Sequence, residues 1–245
     1  MREAPVEHFK KRAQKYNASS HWVHDPALIE KMFSFAEVTS DSIVLDIAIG
    51  TGKISKAFFG RAGRVVGIDM CMDMVKGAKG ASNAIVLGVG ERLPFLENSF
   101  DVCVCRQGLQ FMDAEAVVAE AYRVLKPSGR IVLCHLTAHG EADKDTAFLV
   151  QRLRNPARRN FFLPDDFLKL LKTNRFTDVE LFEYLSRESV NVWIDHGAIT
   201  SGEMEVIRQA YRNATPEFKD IHSVEFVDND IMDTMKLVIA RGRKP

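Results

Sequence analysis

A short turn rich in small residues follows the first strongly apolar run of the chain. Residues 43–52 begin as an apolar run, carry an acid near their centre and continue with small side chains. These residues are Asp46, Ala48, Gly50 and Gly52. Such a turn between a strand and a helix lets backbone N–H groups and a helix N-terminus approach a ligand closely. The pattern therefore predicts a nucleotide-like cofactor at this turn.

Three classes of ligand compete for the turn. A phosphate-binding P-loop needs a hydroxyl directly after its lysine, but Lys53 is followed by Ile54. A dinucleotide fingerprint places its third glycine where this chain has Ser55. The carboxylate of Asp46 would repel a pyrophosphate, whereas it suits a ligand that carries an ammonium group. S-adenosylmethionine (SAM) has an ammonium group and a sulfonium, so the turn favours SAM.

Short apolar runs separated by helix-length stretches surround this turn. The predicted strands are 43–47, 64–68, 84–87, 101–105, 130–134, 179–185 and 234–240. The predicted helices between them include 53–59, 71–79, 114–125 and 164–171. Near-continuous apolar strands that alternate with helices indicate a parallel sheet covered on both faces. We predict an α/β fold with a doubly wound, seven-stranded, mostly parallel, Rossmann-like sheet whose last strand is antiparallel.

The chain is predicted to form a single domain over residues 1–245. Its parts are a helical N-terminal lid (1–40), a cofactor-binding core (41–136) and a substrate-side half (137–245). Pro127 and Gly129 are expected to end a helix and turn the chain into the fifth strand. About fifty residues separate the last two strands, and helical patterns there predict an inserted cap at about 187–232.

Four motifs occur in order over about ninety residues. They are VLDIAIGTG at 44–52, VGIDM at 66–70, ERLPF at 91–95 with NSFD at 98–101, and RVLKPSGR at 123–130. The set resembles the class I SAM-dependent methyltransferases, and within them the branch of the ubiquinone and menaquinone C-methyltransferases (methyltransferase type 11). The resemblance implies SAM as cofactor, S-adenosylhomocysteine as product and methyl transfer as the reaction.

The resemblance also implies how the cofactor is held. The residues around its methionyl part are Asp46, Ala48, Gly50 and Gly52. Asp69, at the end of the second strand, is expected to accept hydrogen bonds from both ribose hydroxyls, and Met70 to pack on adenine. Many relatives carry an Asp for the adenine amino group where this chain has Val89. Main-chain groups near Gly90 and Glu91, or another side chain, are expected to take over that contact.

Two further segments are expected beside the cofactor. Arg106 and Gln107 follow the fourth strand, where such enzymes place the methionyl end and the substrate mouth. Tyr16 belongs to a segment that relatives fold over the cofactor as a lid, and packing on the domain is the alternative. Residues 106–111 lack the Asn/Asp-Pro-Pro-Tyr tetrad of DNA and protein amide methyltransferases, so a nucleic-acid partner is not expected.

His135 is the candidate general base, since a neutral imidazole titrates near operating pH and this histidine ends the fifth strand. A structural or merely pocket-lining His135 is the alternative, and His21, His24 and His139 are weaker candidates. The residues expected on the substrate side are Trp22, Gln110, Arg158, Arg159 and Trp193. A solvated basic loop is the alternative for the arginines, although guanidinium groups pair well with carboxylate or phosphate.

Composition limits the partners of the chain. Lysine plus arginine and aspartate plus glutamate both number 33, so no overall field attracts nucleic acid or an anionic membrane. No apolar run reaches the roughly 18 residues of a membrane span, and the N-terminus lacks a signal-peptide core. The four cysteines, among them Cys103 and Cys105 on one strand face, have no metal-ligand spacing. We expect a cytoplasmic monomer or homodimer without a metal.

The predicted reaction is methyl transfer from SAM to a carbon or oxygen of a small acceptor, aromatic or quinol-like in character. Two alternatives remain open at this stage. One is a protein that binds SAM without methyl transfer, and the other is an NAD-dependent oxidoreductase.

Overall fold

One central β-sheet organises the protein. The structure is a computed structural model that describes residues 5–13 and 15–245. The strands in this part of the chain are β1 (Ile43–Ile47), β2 (Arg64–Asp69), β3 (Ala84–Leu87), β4 (Phe100–Arg106), β5 (Leu125–Thr137), β6 (Thr177–Ser189), β7 (Glu225–Val227) and β8 (Asp230–Arg243). Their order in the sheet is β3-β2-β1-β4-β5-β8-β6, and β7 pairs with β8.

The strand directions confirm the predicted fold class. Strands β1 to β5 pair in parallel, whereas β8 runs antiparallel to β5, β6 and β7. The order reverses at β1, which lies between β2 and β4. In open α/β sheets, ligands bind outside the carboxyl ends of the strands at such a reversal. The predicted glycine turn follows β1 and therefore lies at this position.

Helices cover both faces of the sheet. The helices in the described residues are α1 (Pro5–Arg12), α2 (Pro26–Ala36), α3 (Lys53–Phe58), α4 (Met72–Lys76), α5 (Ala114–Val124), α6 (Lys144–Arg154), α7 (Pro164–Thr173), α8 (Val190–Ile194), α9 (Ser201–Arg212) and α10 (Pro216–Ile221). Two 3₁₀ turns, Tyr16–Ala18 and His21–Val23, connect α1 to α2. None of these helices is long and apolar enough to cross a membrane.

Apolar side chains pack on both faces of the sheet. Successive residues of a strand point to opposite faces. Val102 and Val104 therefore join one cluster with Trp193, while Cys103 and Cys105 join the other. This confirms that the two cysteines share one strand face as small buried side chains. Burial on both faces explains why the central strands are largely apolar.

The structure agrees with the predicted turn before the fifth strand. Helix α5 ends at Val124, Leu125 pairs with Phe100, and the next paired residue, Arg130, lies opposite Val102. Residues 126–129 therefore bulge out of the ladder between β4 and β5, and Ser128 within this bulge has a φ of 64°. Lys126 holds the bulge to β4, because its Nζ donates to both carboxylate oxygens of Asp101 at 3.0 and 2.9 Å.

Some elements differ from the sequence prediction. Helix α6 is not among the predicted helices, because its many charged side chains conceal the buried positions Ala147 and Val150. Strand β7 is an eighth strand that is too short and too exposed to produce an apolar run. Within the N-terminal segment, expected to be a helical lid over 1–40, two 3₁₀ turns interrupt the helical structure between α1 and α2. The division into lid, core and cap stays a prediction.

Candidate active site

The turn after β1 brings backbone groups to the carboxyl edge of the sheet. Ala48 and Gly50 have φ angles of 59° and 55°, so the chain reverses tightly before α3 begins. Gly52 has a φ of 76°, and a Cβ added there would lie 2.7 Å from the Cβ of Ala81. The backbone of this turn therefore requires small residues, and at Gly52 a glycine.

Asp46 lies behind the turn and holds the start of α3. Its Oδ2 accepts hydrogen bonds from the backbone N of Ser55 at 3.1 Å and from the hydroxyl of Ser55 at 2.7 Å. Burial raises the pKa of Asp46 to about 7, although the bonds from Ser55 and the charge of Arg106 oppose the shift. Asp46 lines a small side pocket with Ala48 and Arg106. It does not line the larger cleft in front of the turn.

Asp69 ends β2 and lines the larger cleft. Its Oδ2 accepts from the backbone N of Gly50 at 2.9 Å, and its Oδ1 accepts from the backbone N of Cys71 at 2.8 Å. Burial raises the pKa of Asp69, although these donors favour the carboxylate. A carboxylate oxygen has two lone pairs, so each oxygen keeps one for a ligand. The carboxylate can therefore accept from two hydroxyl groups at once.

The cleft has a volume of about 280 Å³ and lies at the carboxyl ends of β1, β2 and β4. The predicted cofactor residues that line it are Ala48, Gly50, Asp69, Met70, Gly90, Glu91, Arg106 and Gln107. Gly52 supports the turn from behind and does not line the cleft. Tyr16 lies in the first 3₁₀ turn, but its side chain is outside the described residues.

The loop after β3 forms one wall of the cleft. A Cβ on Gly88 would lie 2.9 Å from Cδ1 of Ile68, and a Cβ on Gly90 would lie 3.0 Å from the sulfur of Met112. Both glycines let the loop backbone come close to the sheet. The backbone N–H and C=O groups of this loop can therefore approach a planar ligand.

Apolar side chains complete that wall. Met70 and Val89 line the cleft and are 42% and 39% exposed, so both offer apolar surface to a ligand. Glu91 is engaged elsewhere, because its Oε1 accepts from the backbone N of Asp113 at 3.0 Å before α5. The wall therefore suits an aromatic base that stacks on apolar side chains and is recognised by the main chain.

Gln107 separates the cleft from a second pocket. It has a φ of 57°, in the left-handed region that few residues with a side chain adopt. Its Oε1 accepts a hydrogen bond from Nε2 of Gln110 at 3.0 Å. Gln107 lines the cleft on one side and the second pocket on the other. Backbone strain of this kind clusters at functional sites.

The second pocket, called the inner pocket below, lies beyond Gln107. It is lined by Phe9, Arg12, Trp22, Gln107, Gln110, Phe111, Leu136, Arg154, Asn155, Arg158 and Trp193. The structure thus brings together four of the predicted substrate-side residues, which are Trp22, Gln110, Arg158 and Trp193. The fifth, Arg159, lines the cleft instead.

Sequence reasoning missed the contribution of α1. Phe9 lines both the cleft and the inner pocket, and its ring meets that of Phe111 edge to face with centroids 4.8 Å apart. Met74, Gly108 and Met112 also line the cleft unpredicted. The only signal for Phe9 was an apolar position in an N-terminal helical pattern, which does not specify a site.

His135 is placed in the core, away from the cleft. Its ring is fully buried and stacks on Phe167 at an interplanar angle of 11°, and its Nδ1 is 3.0 Å from Oε1 of Gln110. Burial lowers the pKa of His135 to about 3, and the nearby charge of Arg158 acts in the same direction. The imidazole is therefore neutral, and it lines neither the cleft nor the inner pocket.

The weaker histidine candidates also lie outside both cavities. Nε2 of His24 is 2.6 Å from the carbonyl oxygen of Asn17, near the surface. Nε2 of His139 is 2.8 Å from the carbonyl oxygen of Thr234. The ring of His21 is largely exposed. The structure does not bring a histidine of this set to the cleft.

Comparison with known proteins agrees with this arrangement. A methyltransferase-domain family model matches residues 45–133. Demethylmenaquinone methyltransferase from Corynebacterium kroppenstedtii is 31% identical over 74% of each chain. The methyltransferase YcgJ from Bacillus subtilis is 26% identical over 96% of this chain and 97% of its own.

A solved structure extends the similarity to the fold. The crystal structure of YcgJ superimposes with a TM-score of 0.81 and 25% identity, over 88% of this chain and 97% of that one. The cleft, the Asp69 carboxylate and the glycine turn thus occur in a chain whose relatives are methyltransferases. The protein belongs to the class I SAM-dependent methyltransferases.

Proposed function

We propose that the protein transfers the methyl group of SAM to a carbon or oxygen of a small acceptor, aromatic or quinol-like in character, which enters beside Gln107. The observation that carries the proposal is the pair of adjoining cavities, because the cleft and the inner pocket share Phe9, Gln107 and Phe111. The first cavity suits the methyl donor and the second suits an acceptor. The demethylmenaquinone methyltransferase relative supports an acceptor of quinol-like character.

The residues proposed to hold SAM come from four strand ends. The free lone pairs of Asp69 accept from the two ribose hydroxyls, and Met70 and Val89 pack on adenine. Gly50 and Ala48 leave room for the methionyl part beside the turn. Arg106 pairs with the methionyl carboxylate, since a guanidinium group suits a carboxylate. Asp46 acts behind the turn by fixing α3.

The chemistry makes limited demands on the protein. Bound SAM supplies a methyl group that is already electrophilic because the sulfur is positively charged. The side chains of the cleft have to hold the acceptor atom in line with this methyl group and to exclude water. Such positioning is worth up to about 7–11 kcal/mol in favourable intramolecular models. Phe9 and Phe111, in contact above the junction of the two cavities, exclude water there.

In the proposed reaction the acceptor ionises and releases its proton to water rather than to a side chain. The titratable residues that line the described part of the cleft are Asp69, Glu91, Arg106 and Arg159. Both carboxylates are held by backbone N–H donors, and a guanidinium group has no atom that accepts a hydrogen bond. An acceptor that ionises readily, such as a phenol or an enol, fits this set without His135 as a base.

Incubation with methyl-labelled SAM and a panel of phenols, quinols and aromatic acids tests the proposal. Labelled product from at least one acceptor, together with S-adenosylhomocysteine in equal amount, is the expected result. SAM binding without transfer to any acceptor would instead favour a SAM-binding protein without catalysis. The partner is proposed to be a small molecule, and a cytoplasmic monomer or homodimer remains a prediction.

A further inference from the structure

We propose that the inner pocket binds a carboxylate group of the methyl acceptor and so acts as its anchor. This inference rests on the proposed function, because it concerns the acceptor of that reaction. This carboxylate is not the group that receives the methyl, because Gln107 and Phe111 lie between the inner pocket and the cleft.

The first observation is the charge of the pocket. Arg158 lines it and is 97% buried, while no acidic side chain lines it in the described residues. Buried charged groups are normally paired with an opposite charge or with a ligand. A buried guanidinium group at so small a pocket therefore predicts an anionic occupant.

The hydrogen bonds of Arg158 leave its charge unbalanced. Its Nε donates to the carbonyl oxygen of Asn160 at 2.8 Å, and its NH2 group lies 3.5 Å from the carbonyl oxygen of Leu136. Burial lowers the pKa of Arg158 to about 9. Neutral carbonyl oxygens thus fix the guanidinium group, but they do not balance its charge. A carboxylate in the pocket would supply that balance.

A chain of hydrogen bonds sets the direction of the Gln107 amide. His135 Nδ1 donates to Oε1 of Gln110, and Nε2 of Gln110 donates to Oε1 of Gln107. The amide oxygen of Gln107 is thereby used, and its Nε2 is buried without a hydrogen-bond partner among the described residues. This chain gives His135 and Gln110 a positioning role. It leaves an N–H donor for a ligand at the boundary of the two cavities.

The two indole groups add further donors. Trp22 and Trp193 are the only tryptophans of the sequence, and both line the inner pocket. Each is at least 95% buried, and each Nε1 lacks a hydrogen-bond partner within the described chain. An indole nitrogen can only donate, as can a guanidinium group. The unused polar groups are donors, so they select a ligand that only accepts.

The size of the pocket narrows the class of anion. Its free volume is about 20 Å³. A cavity needs at least about 10–15 Å³ of such free volume to hold one water, so the inner pocket has room for one or two water-sized atoms. The two oxygens of a carboxylate match this space better than the four of a phosphate. The apolar body of the acceptor then lies beside Phe9 and Phe111, towards the cleft.

The two tryptophans provide a direct test in the unmodified protein. With S-adenosylhomocysteine bound, ¹H–¹⁵N spectra should show both indole N–H signals shifting when benzoate is added. Benzamide has the same shape but no charge, and it should leave both signals unchanged. Equal shifts with the two probes, or no shift with benzoate, would overturn the proposal.

Variants locate the charge that is responsible. Arg158→Gln should weaken benzoate binding by about tenfold or more, since a hydrogen-bonded charge is lost. Arg152→Gln alters an exposed arginine six residues earlier and should leave the affinity for benzoate unchanged. Arg158→Lys should be intermediate, because the charge stays but the planar fork is lost. Unchanged benzoate affinity in Arg158→Gln would refute the assignment. Affinity for S-adenosylhomocysteine, measured on each variant, separately checks the proposed function.

Discussion

Replacing Asp69 by asparagine tests the assignment on which cofactor binding depends. The change keeps the shape of the side chain, and the remaining oxygen can still accept one of the backbone N–H bonds. It removes the negative charge and one of the two accepting oxygens. In the wild type, these oxygens accept hydrogen bonds from the backbone N of Gly50 and of Cys71. An amide nitrogen cannot accept from a ribose hydroxyl.

The expected loss follows from the number of bonds removed. A hydrogen bond to a charged group contributes about 1.5–3 kcal/mol. Loss of one such bond to the ribose corresponds to an increase of about 10- to 150-fold in the dissociation constant of SAM. Asp69→Ala should weaken binding by at least as much, because both backbone donors also lose their acceptor.

Titration calorimetry with SAM and S-adenosylhomocysteine measures the effect. Asp73→Asn is the matched control, since Asp73 lies four residues later on α4 and pairs with Lys76 at 2.7 Å away from the cleft. The control should bind as the wild type does. Unchanged affinity in Asp69→Asn, with an intact fold by circular dichroism, would refute the role of this carboxylate.

Three further predictions concern stability, each measured by urea denaturation. Gly80→Ala should cost about 1–2 kcal/mol for a left-handed backbone, since nothing lies within 4 Å of the added Cβ. Gly52→Ala should cost at least about 1 kcal/mol more because of its clash with Ala81, and equal costs would contradict the steric argument. Ser55→Ala should cost about 1.5–3 kcal/mol through the lost bond to Asp46, whereas Ser99→Ala at an exposed bond should stay within about 0.5 kcal/mol. Burial opposes a charged His222, but its bonds to Asp143 and Asp233 outweigh burial and raise its pKa to about 9. That value lies above the unfolded value of about 6.5, so this stabilisation is complete below pH 6.5 and is lost as pH rises to 9. His222→Gln should flatten the decline, and parallel pH profiles would contradict the assignment.

Local patterns predicted the sheet well where burial is uniform. The run 43–47 coincides with β1, because both faces of this central strand are covered and its residues other than Asp46 are apolar. The glycine turn was equally predictable, since the φ angles at Gly50 and Gly52 demand residues without a large side chain. Asp69 was identified from the family motif, and its exact partners came only from the structure.

Contacts between distant segments were beyond sequence reasoning. The inner pocket unites Phe9, Trp22, Gln110, Arg158 and Trp193, which belong to separate elements of the chain. No local pattern specifies that such residues meet. The surroundings of His135 were hidden for the same reason, because its stacking on Phe167 depends on how α7 packs against the sheet. The residue type alone predicts a histidine that titrates near neutral pH. The burial that lowers the pKa of His135 is visible only in the structure.

The central claim is that the cleft at the carboxyl ends of β1, β2 and β4 holds the methyl donor. A crystal structure of the protein with S-adenosylhomocysteine measures this directly. The predicted result places both ribose hydroxyls within hydrogen-bond distance of Asp69, adenine against Met70 and Val89, and the sulfur facing Gln107. A ligand bound elsewhere, or a ribose without contact to Asp69, would contradict the account.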